Sequence, residues 1–101
     1  MAKETRFSID IITEGGDWVG LDFLDIKNRD LMVEAIKENI TTHHLLWVKE
    51  EDEGEIKFHH FRINKIVRFS YYNGIRTVEI KPIEWGIYGM GIYGKSNKHQ
   101  A

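Results

Sequence analysis

Short segments in which apolar and polar residues alternate occupy most of this chain, and this period of two constrains the fold more than any other feature. Alternation runs through residues 6–13 (RFSIDIIT) and again through 18–24 (WVGLDFL). Successive side chains of a strand point to opposite faces, so each segment has one apolar face. The intervening Glu-Gly-Gly suits a three-residue hairpin loop that pairs Thr13 with Asp17. The resulting register places three apolar pairs on one face: Ile11 with Val19, Ile9 with Leu21, and Phe7 with Phe23.

One segment has the period of an amphipathic helix. It spans residues 28–40 (NRDLMVEAIKENI), where Asn28 can cap the first turn and Asp30 lies near the positive end of the helix dipole. The predicted apolar stripe consists of Leu31, Met32, Ala35, Ile36 and Ile40. We expect this helix to lie across a sheet.

Two further hairpins are predicted in the second half. Residues 43–50 and 55–61 flank the loop 51–54, and pairing Glu50 with Glu55 brings Trp47 beside Phe58. The two facing glutamates leave a slip of one residue open, because like charges opposite each other are unfavourable. In the segment 66–81, Asn73-Gly74 favours a two-residue type I′ turn and predicts the third hairpin, with Tyr72 opposite Ile75.

The predicted order is ββαββββ, and a further strand in the glycine-rich end is left open. A chain of 101 residues with this pattern is a single α+β domain. We expect one helix packed on a twisted antiparallel sheet of about six strands, which can curl into a small open barrel. The domain is predicted over residues 1–85, and 86–101 form a glycine- and tyrosine-rich strand or tail. As a last strand, this end can meet a second copy of the chain.

The same glycine-rich end contains a match to a nucleotide-binding motif, G-x-G-x-x-G, at residues 89–94 (GMGIYG). In dinucleotide-binding proteins that motif opens a helix, whose first N–H groups hold the pyrophosphate. Seven residues follow Gly94, which is too few for such a helix and the strand after it. We therefore expect no cofactor at this motif.

Metal binding and catalysis find little support in the sequence. There is no cysteine, and the histidine pairs His43-His44 and His59-His60 each split between the two faces of a strand. Each face then offers two imidazoles, fewer than the three or four ligands of zinc. The serines lie outside any nucleophile-elbow pattern, and the acidic run 50–55 is typical of an exposed loop. We predict a non-enzymatic protein without a metal.

The N-terminal segment and the length of the apolar runs predict where the protein is located. The N-terminal segment MAKETRFSID is charged, and no apolar run approaches the length that spans a membrane. We expect a cytoplasmic protein.

Charge is divided along the chain: residues 1–55 have fourteen acidic and six basic residues, whereas 56–101 have two acidic and eight basic ones. Such asymmetry indicates a charged partner, or two halves that neutralise each other after folding.

Our leading prediction is a small regulator, inhibitor or accessory subunit that docks on a protein partner through a charge-segregated surface, since acidic surfaces steer association with basic ones. The residues predicted for this acidic face are Asp17, Asp22, Asp30, Glu34, Glu38, Glu50, Glu51, Asp52 and Glu53.

The alternative is a module that binds RNA or single-stranded DNA through the basic, aromatic second half. Cations neutralise phosphates and rings stack on bases, which is the combination that single-strand binding requires. The residues predicted for this interface are Lys65, Arg68, Tyr72, Arg76, Lys81, Tyr88, Tyr93 and Lys95. The calculated pI of about 6.2 argues against a dedicated nucleic-acid binder.

Overall fold

The computed structural model describes residues 4–76 and 81–96. These residues form seven strands and one α-helix, which confirms the predicted α+β class with a single helix. The helix α1 is Ile26–Asn39, and a 3₁₀ turn occupies Ile63–Lys65. The strands are β1 (Glu4–Thr13), β2 (Trp18–Phe23), β3 (Leu45–Asp52), β4 (Glu55–Arg62), β5 (Ile66–Arg76), β6 (Ile83–Ile87) and β7 (Ile92–Ser96).

The strands form two antiparallel sheets rather than one. The three-stranded sheet has the order β2-β1-β5, and the four-stranded sheet has the order β4-β3-β6-β7. The glycine-rich end contributes β7, so the described order is ββαβββββ, one strand more than the predicted ββαββββ. β6 spans the predicted domain boundary at residue 85 and pairs with both β3 and β7. Within the described residues both sheets keep open edges and do not close into a barrel.

The first hairpin has the predicted register. Phe7 lies opposite Phe23, Ile9 opposite Leu21 and Ile11 opposite Val19. The Thr13 N–H donates to the Asp17 carbonyl at 2.9 Å, and Gly16 takes the left-handed conformation, with φ of 87°. This local prediction holds because the turn chemistry and the apolar alternation require the same register.

The helix begins earlier than predicted, and its cap is a different residue. Asp25 is the N-cap, and its carboxylate accepts a hydrogen bond from the Lys27 N–H at 2.9 Å. Asn28 therefore lies inside the helix, with its side chain buried. Met32, Ala35 and Ile36 are buried as predicted, whereas Leu31 is exposed and Val33 takes its place in the core.

The second hairpin has a different register from the predicted one. Glu53 and Gly54 form a two-residue turn with φ of 48° and 82°, and Asp52 lies opposite Glu55. Glu50 therefore pairs with Lys57 instead of Glu55, and Trp47 pairs with His60 instead of Phe58. The shift gives Glu50 an oppositely charged partner, whereas Asp52 and Glu55, both acidic, lie opposite each other beside the turn. It preserves the face on which each side chain lies, because the register changes by two.

The predicted turn at Asn73-Gly74 is wrong. Both residues lie within β5, where Asn73 pairs with Phe7 and Gly74 with Arg6, and neither has a positive φ. Strand β1 provides a partner along nearly all of β5, and this pairing outweighs the local preference of Asn-Gly for a turn. The second arm of the predicted hairpin falls partly on residues 77–80, which lie outside the described residues.

The hydrophobic core lies between the two sheets and α1. A buried hydrogen bond joins two of these layers, because the Trp85 Nε1–H on β6 donates to Asn28 Oδ1 on the helix at 2.9 Å. The completely or almost completely buried apolar side chains are Ile9, Ile11, Leu21, Phe23, Met32, Ile36, Leu46, Val48, Ile63 and Trp85. The inner face of each sheet is thus covered by the core.

Candidate interaction surfaces

The outer face of the four-stranded sheet carries exposed apolar and aromatic side chains. Residues of β3 and β4 that pair directly share a face, and Leu46 and Val48 are fully buried on the inner one. The intervening residues of β3 and their partners on β4 therefore point outward. We refer to this outer surface as the aromatic face, and it comprises Trp47, Ile56, Phe58, His60 and Tyr88.

The rings of the aromatic face form a row. The Phe58 and His60 ring centroids are 6.4 Å apart with an interplanar angle of 16°, and the His60 and Tyr88 centroids are 6.1 Å apart at 13°. Ile56, Phe58 and Tyr88 nevertheless expose 55%, 58% and 51% of their surfaces. These rings are held in place by their contacts with one another. Much of their area is nevertheless exposed to solvent in the described part of the chain.

The aromatic face has one ion pair at its middle and further charged residues at its two ends. Lys49 lies across the middle of the face and forms an ion pair with Glu84 at 3.7 Å, so neither charge there is uncompensated. At the β3–β4 turn Glu51, Glu53 and Glu55 are all exposed, and we call this group the acidic turn. At the other end of β4 the exposed Arg62 donates a hydrogen bond to the His43 carbonyl at 2.7 Å.

The outer face of the three-stranded sheet is more polar. The buried Ser8 hydroxyl donates to Asp22 Oδ1 at 2.6 Å, and Arg6 Nη1 lies 3.9 Å from the same carboxylate oxygen. The Arg6 guanidinium also covers the Tyr72 ring at 5.7 Å from its centroid. Trp18, which is 64% exposed, lies over Gly20 so closely that a Cβ on Gly20 would be 2.9 Å from the indole.

The residues predicted to form one acidic face lie in four separate places. Asp22 is on the outer face of the three-stranded sheet, whereas α1 packs on the inner side, where Arg29 covers the Phe7 ring. The second group, on the helix, is Asp30, Glu34 and Glu38, of which Asp30 pairs with Arg29 at 2.8 Å and Glu34 with Lys37 at 3.8 Å. The remaining residues are Asp17 at the first turn and Glu50, Glu51, Asp52 and Glu53 at the β3–β4 end.

The residues predicted to bind nucleic acid are also divided. Arg68 and Tyr72 share the outer face of the three-stranded sheet, Tyr88 lies on the aromatic face, and Lys65 forms an ion pair with Glu14 at 3.4 Å. Lys81 precedes β6. β5 ends at Arg76, and β7 contains Tyr93 and Lys95. The side chains of these three residues are not among those that the structure describes.

The four histidines in the described part of the chain, His43, His44, His59 and His60, do not converge on one point. The His43 ring lies 3.1 Å from the Asn64 amide nitrogen, His59 Nε2 is 3.9 Å from Glu50 Oε2, and His60 is in the aromatic row. In residues 4–76 and 81–96, no three His, Asp or Glu side chains come together as metal ligands.

The aromatic face is the surface that sequence reasoning missed. A signal for it was present in EIKFHHF, because Ile56 and Phe58 have one parity and Phe61 the other. Apolar residues therefore fall on both faces of this strand, and the core of a small domain can cover one of them. The structure buries Phe61 and leaves Ile56 and Phe58 outside.

Comparisons with known proteins add no assignment. No protein-family model, no curated protein and no solved structure matches this chain. In the described part of the chain, no helix combines the length and the apolar character needed to cross a membrane.

Proposed function

We propose that this protein is a small, non-enzymatic interaction protein, acting as a regulator, inhibitor or accessory subunit, and that it docks on a protein partner through the aromatic face. The observation that carries the proposal is the exposure of Ile56, Phe58 and Tyr88 on one sheet face. Contiguous apolar surface of this kind is uncommon on monomeric proteins and marks binding sites.

The residue types on this face suit a protein interface. Aromatic residues are enriched at the centres of interfaces, where large rings bury much area with few rotatable bonds. The Phe58–His60–Tyr88 row is already ordered by its own ring contacts. Binding would therefore immobilise few additional side chains, which favours affinity.

The charge distribution favours a protein partner over a nucleic acid. A nucleic-acid-binding face needs cations that are free to neutralise phosphates. Lys49 is already paired with Glu84, and the acidic turn borders the same face. A matching partner would present an apolar patch with basic residues beside the acidic turn, since complementary charges accelerate association.

The test uses the purified protein as bait for extracts of its source, with bound proteins identified by mass spectrometry. We expect a specific partner to be captured by the wild type and lost with Phe58→Asp. The matched control is Val67→Asp on β5, because Val67 is 63% exposed and lies outside the aromatic face. Circular dichroism of both variants checks that each is folded.

A partner retained by folded Phe58→Asp, or lost equally in the control, would contradict the proposed surface. Binding of the recovered partner should then be measured with purified components. Charge reversal in the acidic turn, as in Glu53→Lys, is expected to slow association and to weaken its salt dependence.

The nucleic-acid alternative remains a prediction and has its own assay. Arg68 and Tyr72 share one face with Arg6, although Asp10 and Asp22 on that face would repel phosphates. Fluorescence polarisation with labelled single-stranded RNA and DNA at low salt measures this directly. Salt-sensitive binding that is lost in Arg68→Glu and kept in Phe58→Asp would replace the proposed function by the alternative.

A further inference from the structure

We infer that β4 pairs with β4 of a second copy of the chain, antiparallel and across the open edge of the four-stranded sheet. In the described residues β4 is a terminal strand of this sheet, and six of its eight side chains are exposed. An edge strand of this length offers unpaired backbone groups to another strand. This inference concerns the edge of the sheet and does not depend on the proposed docking through its face.

The backbone of β4 has hydrogen-bonding groups that point away from the sheet. The Tyr88 N–H donates to the Leu45 carbonyl and the Glu51 N–H to the Pro82 carbonyl, so the odd-numbered residues of β3 turn towards β6. The even-numbered residues of β3 then turn towards β4 and bond with their direct partners there. The backbone N–H and C=O groups of the β4 residues between those partners point away from the sheet, towards its open edge. These residues are Ile56, Phe58, His60 and Arg62.

The charges along β4 match those of a second, antiparallel β4. One end of the strand adjoins the acidic turn, the other end carries Arg62, and Lys57 between them lies opposite Glu50 of β3 in its own sheet. A two-fold axis at the centre of the strand brings the acidic turn of each copy to Arg62 of the other copy. Opposite charges therefore meet at both ends of the interface, which fixes the antiparallel orientation.

The other long edge strand lacks this complementarity. β5 contains Arg68 and Arg76 and no acidic residue. Antiparallel pairing of two β5 strands would bring basic residues together and repel. The pairing of β5 with β1 is also irregular near the start of β5, where the register shifts between Ile12 and Thr13 of β1. Self-association is thus favoured at β4.

The register between the two β4 strands follows from which backbone groups point to the open edge and from which side chains lie on the aromatic face. In antiparallel sheets, directly paired residues share a face. Phe58 paired with His60 of the second copy satisfies this rule and uses outward backbone groups on both strands. His59 of the two copies then meet at the two-fold axis, and the two aromatic faces join into one surface.

Sedimentation equilibrium of the full chain tests the inference. We expect a concentration-dependent rise from the mass of one chain, 11.9 kDa, to twice that mass. Ile56→Pro removes an outward N–H and no bond within the sheet, so it should keep the circular dichroism spectrum and abolish the rise. A wild type that stays monomeric up to millimolar concentration would overturn the inference and leave the docking proposal untouched.

Two charge variants test the orientation. Arg62→Glu and the double variant Glu53→Arg/Glu55→Arg should each be monomeric, because like charges then meet at both ends. An equimolar mixture of the two should recover the dimer mass, since every contact becomes attractive again. Arg68→Glu is the matched control on β5 and should dimerise like the wild type. A mixture that stays monomeric contradicts the proposed orientation.

A single cysteine tests the register, since the chain has none of its own. Under oxidation, His59→Cys should form a disulfide-linked dimer, because residues facing each other across an antiparallel pair lie within disulfide reach. Ser70→Cys on β5 should remain unlinked under the same conditions. Linkage of both variants at the same rate would indicate random collision and would contradict the register.

Discussion

Arg29 illustrates how one side chain joins the helix to the three-stranded sheet. It is 4% exposed, and its Nε donates to Asp30 Oδ1 at 2.8 Å while Nη1 donates to the Tyr72 carbonyl at 3.0 Å. The guanidinium lies 5.9 Å from the Phe7 ring centroid and 5.4 Å from that of Tyr71. A buried cation is tolerated because charged and aromatic partners replace the lost water.

We expect Arg29→Met to lower the free energy of unfolding by about 2–4 kcal/mol, because the Tyr72 carbonyl loses its charged donor and two rings lose their cation. Urea denaturation measures the change. Lys37→Met is the matched control, since Lys37 also lies over the Tyr71 ring but is half exposed. It should change stability by less than about 1 kcal/mol. Equal effects of the two substitutions would contradict the role assigned to Arg29.

The Trp85–Asn28 hydrogen bond predicts a measurable coupling between helix and sheet. Asn28→Ala should destabilise the protein by about 1–3 kcal/mol, because it leaves the buried indole N–H without its acceptor. Trp85→Phe should cost at least as much, since it also removes ring volume from the core. The double variant should be less destabilised than the sum of the two, with a coupling of about 0.5–3 kcal/mol. Strict additivity would argue against the bond.

Neither Asn28 nor Arg29 could be assigned from the sequence. Both precede the apolar stripe of the helix, where polar residues are typical of a cap or of a solvated first turn. Their partners Trp85 and Tyr72 lie 57 and 43 residues further along the chain. Local patterns contain no information about contacts at that separation.

At the level of elements, the two turn predictions show when local chemistry decides. The three-residue loop before Asp17 formed as predicted because the apolar alternation on both sides demanded the same register. Asn73-Gly74 did not form a turn because β1 pairs with β5 straight through it. The two-residue turn instead lies at Glu53-Gly54, a less favoured dipeptide, where the flanking strands pair with each other.

We expect Asn73→Thr to leave stability unchanged or to raise it by up to about 0.5 kcal/mol, because a β-branched residue suits a strand. In a type I′ turn the same change would be clearly destabilising, since it puts a β-branched residue at a positive φ. Gly54→Ala, at a φ of 82°, should be destabilising by about 1 kcal/mol or more. Urea denaturation of both variants separates the two structures.

The candidate site was predictable in part. The exposed acidic turn was expected from its composition, and it lies at the end of the aromatic face. The aromatic face was not expected, because its residues come from β3, from β4 and from the position just after β6, and the order of these strands in the sheet is set by long-range pairing. Tyr88 reaches His60 only because β3 lies between β4 and β6.

At the scale of the whole molecule, the division of charge along the sequence is not preserved in space. β5, from the basic half, pairs with β1, from the acidic half. Ion pairs also cross the division, with Lys65 beside Glu14 and Lys49 beside Glu84. Part of the charge is therefore neutralised locally, and apolar exposure becomes the better guide to a docking surface.

The three tryptophans report on three layers of the molecule. Trp18 is 64% exposed on one outer surface, Trp47 is half buried on the aromatic face, and Trp85 is fully buried. We expect Trp18→Phe to reduce acrylamide quenching of the remaining fluorescence more than Trp47→Phe does. Trp85→Phe should shift the emission maximum of the folded protein to longer wavelength. The opposite order of quenching would contradict this arrangement of the sheets.

The return of the chain to its first sheet has a consequence for how the protein folds. Glu4 at the start of β1 pairs with Arg76 at the end of β5, so the three-stranded sheet is complete only after the helix and the β3–β4 hairpin have been synthesised. Closing so long a loop is entropically demanding, and chains with such distant pairings acquire their native state slowly. A ribosome-bound fragment ending before β5 would hold its first hairpin without the neighbour that shields it.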